Sequence, residues 1–402
     1  AGSNATNTGT NGRWDYKKFN DELFYSDAIL SFNDNYGDFS LTAIAGASLQ
    51  KTTFGSGVQV SSGNDGLLFY ANEFNFQNLP TNTQVQSTLA SRVDKQAMFG
   101  NVVIGYKDAL FLDFSGRNDY ASTLAGTGNE SYFYPSVGAS LVLSQMMELP
   151  SQISFLKLRA SSASVGNEVP YNSISPTNTI NASGGVERNT QTPFTTLKPE
   201  MIETFEIGVD LRLFNNKLGL DVAYYDIKST DQFLSLAAPS GSGYTSYFVN
   251  AGKIVNNGIE VTITNSIIDN ANFKWNSILN ITQNTNEIVE IHPDISALNT
   301  GASEGFQSQM RKGGSVGDFY TFMHKRDAQG RIEMAAGVPL RGAERVLAGN
   351  AEPDVSLGWS NNVNIGESLS VGFIINAKFG GEVFSQTESM LDGNGVSLRS
   401  GQ

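Results

Sequence analysis

The stretch FEIGVDLRLFNNKLGLDVAYYDIKSTDQ, residues 205–232, decides the fold. Phe205, Ile207, Val209, Leu211 and Leu213 take every second position, with Glu206, Gly208, Asp210 and Arg212 between them. After Asn215-Asn216 the alternation restarts, with Leu218, Leu220, Val222 and Tyr224 on one face and Asp221, Ala223 and Tyr225 on the other. Side chains of a strand point alternately to its two faces, and Asn tolerates the positive φ of a tight turn, so the stretch reads as a β-hairpin with one apolar face. Whether that face meets a protein core or lipid is the question the rest of the chain has to answer.

The same period of two recurs along the sequence. Phe39, Leu41, Ala43, Ala45, Ala47 and Leu49 form an apolar row; Leu110, Leu112 and Phe114 oppose Asp113, Ser115 and Arg117. Further rows run through 156–161, 259–264, 273–282 and 369–379. These strands span about 10 to 14 residues, whereas the usual globular strand has roughly 5 to 6. Short links at 34–37, 107–108, 215–216, 268–272 and 366–367, with a longer one at 145–152, alternate with long polar stretches at 120–130, 165–202, 230–255 and 287–353. An up-and-down meander then carries its short turns on one rim and its long loops on the other, as outer-membrane barrels do.

Composition agrees. The 402 residues carry 26 Lys+Arg against 39 Asp+Glu, a net charge of −13, which excludes the basic footprint a nucleic acid requires. Cysteine is absent, which excludes disulfides, thiolate metal sites and cysteine nucleophiles. No apolar run reaches the 18 residues of a transmembrane helix, but a transmembrane barrel leaves no such run. Strand length, turn asymmetry and aromatics at 132–134, 214, 224–225, 273–275 and 359 favour lipid over a soluble sandwich core. The chain begins AGSNATNTGTNG (1–12) and ends SLRSGQ (397–402), and we read it as part of a longer protein.

Longer phrases resemble a known family. SYFYPSVGASLVLSQ (131–145), ISFLKLRASSASVGN (153–167), residues 195–232, VNAGKIVNNGIEVTITN (249–265), GGSVGDFYTF (313–322) and AGNAEPDVSLGWSNNV (348–363) resemble, in order, blocks of the SusC/RagA-type TonB-dependent outer-membrane transporters of Bacteroidetes. The resemblance runs from about residue 97 to about 387. It implies an all-β, antiparallel up-and-down transmembrane barrel of 22 strands around a plug. Residues 1–402 would supply about 14 of those strands, with short periplasmic turns and long extracellular loops; the plug and signal peptide would lie upstream and the last strands downstream. It further implies energy-dependent import of oligosaccharides or oligopeptides, with a SusD-like surface lipoprotein as lid and TonB–ExbB–ExbD acting through the plug. A passive porin, a surface adhesin barrel or a soluble extracellular β-protein would share the strands but not those partners.

No catalytic constellation is expected, and no cofactor. His292 and His324 fall in loops at a spacing fitting no metal motif. Asp392-Gly393-Asn394-Gly395 lacks the remaining ligands of a calcium loop and reads as a turn, as does 327–330. Gly-rich PSGSGYTSYF (239–248) lacks the Lys of a phosphate loop and reads as a loop tip. Inward-facing charges are expected at Lys157, Arg159, Glu206, Asp210, Arg212, Asp221, Glu260 and Lys274, against a plug or along a substrate path. Tyr244, Tyr247 and Phe248 are candidate substrate contacts, since aromatic faces stack on sugars or peptides.

Overall fold

The structure is a computed structural model that describes residues 11–62, 68–81, 83–180, 185–194, 196–303 and 305–398. Twelve long strands form one antiparallel sheet in which each pairs with the next in chain order. They are β1 (Asp15–Tyr36), β2 (Phe39–Ser61), β3 (Ser91–Tyr106), β4 (Leu110–Ala121), β5 (Ser131–Val142), β6 (Ile153–Asn167), β7 (Glu200–Leu213), β8 (Leu218–Thr230), β9 (Lys253–Asp269), β10 (Phe273–Glu290), β11 (Val355–Ile365) and β12 (Leu369–Phe379). A short strand, Gln84–Thr88, also pairs with β2, so the sheet has thirteen strands where the sequence suggested about 14. The difference lies in the loops, whose strands form sheets of their own.

The turn alternation holds for five hairpins: β1–β2, β3–β4, β7–β8, β9–β10 and β11–β12 are joined by links of two to four residues. The β5–β6 link, at ten residues, and the β4–β5 connection, at nine, are not told apart by length, and the remaining connections are longer. At the β3–β4 link Lys107 and Asp108 both have φ of +53°, and the Ala109 N–H donates to the Tyr106 carbonyl at 3.0 Å. Two consecutive left-handed residues match the right-handed twist of the flanking strands. The β7–β8 link is longer than the Asn pair alone: Leu213 pairs with Leu218, and Phe214, Asn215 and Asn216 all take positive φ. Phe214 is held there by its N–H donating to the Gln152 carbonyl at 2.8 Å.

Register sorts the side chains into two faces. Phe205 and Ile207 on β7, Tyr224 on β8 and Ile259 on β9 lie on one face and are exposed. Glu206, Asp210, Asp221 and Glu260 lie on the other. The two buried apolar clusters lie away from the sheet's apolar face: Leu124, Val169 and Leu197 form one, and Leu234, Leu236 and Val249 the other. All six belong to the long connections. Among the described residues no second layer covers the apolar face of the long strands, which argues against a sandwich core and for lipid as the medium that accepts it. No helix among the described residues is long and apolar enough to cross a membrane, a fact that says nothing of strands.

The aromatic clusters divide between the faces, because neighbours in sequence point opposite ways on a strand. Phe133 and Tyr224 face outward. Tyr132, Tyr134 and Tyr225 turn inward, where Tyr225 donates to Asn284 at 2.9 Å. Outward, at the short-turn rim, Phe39 and Tyr106 pack at 4.8 Å. On the same face the Trp275 indole, near that rim, donates to Asn361 at 3.0 Å, and the Trp359 indole, midway along β11, to Ser277 at 2.8 Å, so both Trp N–H groups are satisfied within the protein.

Candidate functional site

The inner wall is built from charges that the strand pairing brings together. Arg159 on β6 grips Asp221 on β8 with two nitrogens, at 2.7 and 2.8 Å, and reaches Glu206 on β7 at 3.2 Å. Its guanidinium must cross β7 to do so. The residue opposite Arg159 on β7 is Gly208, and a Cβ there would lie 2.6 Å from the guanidinium carbon. The missing side chain is the gap through which three strands are tied. Fork-on-carboxylate geometry of this kind fixes orientation as well as charge.

The other expected wall residues take separate places. Asp210 pairs with Arg212 along the same strand at 3.2 Å, and Arg212 lies over the Phe155 ring at 4.8 Å. Lys157 stands opposite Asp210 in the β6–β7 register, and Glu260 opposite Ala223 in the β8–β9 register. Lys274 is at the short-turn rim, 3.7 Å from Asp269, rather than with the others. Sequence reasoning did not single out a second network on β3–β6. There Arg117 meets Asp119 at 2.7 Å, Tyr134 donates to the same carboxylate, and Glu168 pairs with Lys95 and accepts from Thr123 at 3.1 Å. Arg117 was visible in the polar row of β4; its partners required the register. A cavity of about 100 Å³ sits among Tyr25, Arg117, Asp119, Tyr132, Gly166 and Glu168.

Above the wall, the long connections fold into a crown. Residues Phe233–Ala237, Ser246–Asn250 and Gln191–Thr192 form a three-stranded sheet, so the last three residues of PSGSGYTSYF, Ser246–Phe248, belong to a strand rather than a loop tip. Phe248 packs on Phe233 at 4.3 Å and against the Leu124 cluster; Tyr247 packs against the Leu234 cluster. Tyr244 lies under the Arg188 guanidinium at 5.7 Å. A four-stranded sheet follows in the order Leu298–Ser303, Phe306–Met310, Asp318–His324, Arg341–Asn350. Burial first, and then the Asp318 carboxylate, push the Tyr320 phenol up from its ordinary value, so it is neutral at physiological pH.

His292 accepts from the Asp294 N–H at 3.3 Å, and His324 ends a crown strand, exposed. Among the described residues, no group of His, Cys, Asp and Glu is gathered as a metal site. The 327–330 turn is present, with the Gly330 N–H donating to the Asp327 carbonyl at 2.9 Å. The 392–395 segment instead closes the helix Gln386–Gly393, whose last turn the Asn394 N–H caps.

A one-layer antiparallel meander with short turns below, folded loops above, an unpacked apolar outside and a charged inside defines the wall of an outer-membrane β-barrel. The chain belongs to the TonB dependent receptor-like, beta-barrel family, whose profile matches residues 2–329. It is 25% identical over 420 residues to TonB-dependent receptor P3 of Formosa agariphila, covering 94% of this chain and 41% of that protein. It is 28% identical over 302 residues to TonB-dependent receptor P26 of the same organism, covering 70% and 29%. Among solved structures it superposes on the RagAB peptide importer in its open-open state with a TM-score of 0.70 at 18% identity, covering 92% of this chain and 41% of that one. The outer-membrane transporter YddB from Escherichia coli follows at 0.53 and 12% identity, covering 89% and 50%. The chain thus spans about two-fifths of P3 and less of P26. The resemblance to TonB-dependent outer-membrane receptors and the outer-membrane location are borne out, and the likeness to the RagAB importer is one of fold.

Proposed function

We propose that this chain forms wall and crown of an importer that moves oligosaccharides or oligopeptides across the outer membrane, driven by TonB–ExbB–ExbD through a plug and covered by a SusD-like lipoprotein. The observation that carries the reading is the charged inner wall, where Arg159, Glu206 and Asp221 are tied across three strands. A passive pore needs a wetted lumen. A wall that holds a removable plug needs charges fixed in place, so that the plug's partners are preorganised and released as a set. Lys157, Asp210, Arg212 and Glu260 extend that wall, and Lys274 borders it at the periplasmic rim. Of the aromatic candidates, Tyr247 and Phe248 hold the crown in shape, which leaves Tyr244, with Arg188, to meet the incoming cargo.

In this mechanism the lid and crown capture an oligomer, force on the plug breaks its wall contacts, and the lumen opens for one passage. The test is uptake of labelled oligosaccharides and oligopeptides by cells carrying the full-length receptor, with the proton-motive force intact or collapsed. Uptake that stops on collapse and on loss of TonB supports the reading. Uptake that persists in both cases means a passive barrel and overturns it.

A further inference from the structure

The arginines of the barrel strands and those of the four-stranded crown sheet are partnered differently. Those on the barrel strands are neutralised: Arg92 by Asp94 at 2.7 Å, Arg117 by Asp119 at 2.7 Å, Arg159 by Asp221 at 2.7 Å and Arg212 by Asp210 at 3.2 Å. On the four-stranded crown sheet the pattern inverts. Arg341 and Arg345 both lie on the Phe322 ring, at 4.2 and 4.4 Å, and Arg311 lies on Tyr320 at 4.1 Å. None of the three is within ion-pair distance of a carboxylate among the described residues, although the chain's net charge is −13. Register puts them on one face: Arg345 stands opposite Phe322, Arg341 opposite His324, and Leu347 opposite Tyr320. Asp318 shares that face, but its carboxylate is turned to the Ser315 N–H and the Asn350 amide. Arg311 spends two of its edge donors, Nε and Nη2, on the Gln309 side-chain oxygen at 3.1 and 2.7 Å, whereas the guanidiniums of Arg341 and Arg345, lying on the Phe322 ring, keep their edge donors for another partner.

The strand carrying Arg341 and Arg345 is also the edge of its sheet, since among the described residues Arg341–Asn350 pairs only with Asp318–His324. Glu382 closes one end, its N–H donating to the Asn350 carbonyl at 2.7 Å and its carboxylate accepting from the Asn350 N–H at 2.7 Å. From Arg341 to Leu347 the edge strand is mostly exposed, with Leu347 56% accessible and Gly342 and Arg345 half-buried. An exposed edge is a template for a further strand.

We infer that this edge binds an extended acidic peptide, which adds as a strand beside Arg341–Leu347 and lays its carboxylates on the Arg341–Arg345 face. The inference rests on the import reading and narrows its cargo. Side chains of the added strand recur on one face every two residues, about 6.5 Å apart, the same pitch as Tyr320 and Phe322 beneath the arginines. An acidic oligosaccharide satisfies the charges but not the strand edge. Nor does it gain from the rings: Tyr320 is 5% exposed and Phe322 carries two guanidiniums, so neither offers a bare face for a sugar.

The test uses the full-length receptor in detergent and isothermal titration with four probes: a peptide with Glu at alternate positions, its Gln counterpart, its N-methylated counterpart and an oligogalacturonate of similar charge. The Glu peptide is expected to bind at least tenfold more tightly than the other three. The double variant R341Q/R345Q is expected to abolish that preference while leaving Gln-peptide binding within twofold. Equal binding of the N-methylated peptide overturns strand addition, tighter oligogalacturonate overturns the peptide assignment, and an unchanged preference in R341Q/R345Q overturns the arginine face. TonB-driven uptake of neutral oligomers that survives in R341Q/R345Q keeps the import reading standing in any of those cases; loss of uptake of every oligomer when TonB is present counts against that reading instead.

Discussion

Gly208→Ala removes the gap through which Arg159 reaches Asp221. The new Cβ would sit 2.6 Å from the guanidinium carbon and 2.7 Å from Nε, so the far end of Arg159 must swing away and leave both carboxylates. Arg159, Asp221 and Glu206 are 30%, 41% and 39% exposed, so the water-filled lumen screens the pair, and its bidentate geometry is worth about 1 kcal/mol at most. Alanine in a strand gains about 0.5 to 1 kcal/mol over glycine. The two contributions nearly cancel, and the stability of G208A is expected to change by less than about 0.5 kcal/mol. What changes is coupling. A double-mutant cycle of Arg159→Gln and Asp221→Asn, read by reversible denaturant unfolding of the receptor in lipid vesicles, should give about 1 kcal/mol in the native background and less than about 0.3 kcal/mol with Gly208→Ala. The same coupling in both backgrounds would refute the argument that the glycine is the passage.

Other perturbations separate the layers of the structure. Leu197→Ala, at a fully buried position of the crown, should cost about 2 to 5 kcal/mol locally; proteolysis should speed up in residues 168–199 while the heat-modified gel mobility of the barrel stays unchanged. Asn361→Leu removes the acceptor of the Trp275 indole from a site that is 2% exposed, and should destabilise by about 1 to 3 kcal/mol with a shift in Trp275 emission; a neutral result would mean the indole finds lipid headgroups instead. The Asp327 carboxyl is held below its ordinary value, first by the Arg331 N–H and then by the Arg331 guanidinium and the Gln329 N–H. A depressed folded value means stability that is present above the unfolded value and lost as pH falls through the folded one. Amide protection in 325–340 should therefore be unchanged from pH 7 to 5 and fall below about pH 4, and Asp327→Asn should remove that step.

How much of this was legible in the sequence follows from what each feature depends on. Period two and turn chemistry are local, so β7–β8, β9–β10 and β11–β12 and the alternation of short and long links could be read directly. Shared faces were legible too: parity alone put Arg159, Glu206 and Asp221 on the face opposite the apolar row, and register brings them into contact. Which charges meet was not legible, because it depends on pairing partners tens of residues apart, as for Lys95 and Glu168. Adjacent aromatics such as Tyr132, Phe133 and Tyr134 misled as a girdle, since a strand sends neighbours to opposite faces and only Phe133 turns outward. The crown was hidden for a different reason. Its strands are two to ten residues long and interrupted by turns, so their alternation is too brief to stand out from a polar loop. The arginine face of Arg341 and Arg345 needs two of those strands in register before it exists at all.

The measurement that tests the central claim most directly is quenching by brominated lipid of a fluorophore placed singly at consecutive positions 205 to 210 of the vesicle-reconstituted receptor. The account predicts strong quenching at Phe205, Ile207 and Val209 and weak quenching at Glu206, Gly208 and Asp210, a period of two in register with the sheet. Uniform weak quenching along the stretch, or quenching in the opposite phase, would contradict an apolar face turned to lipid.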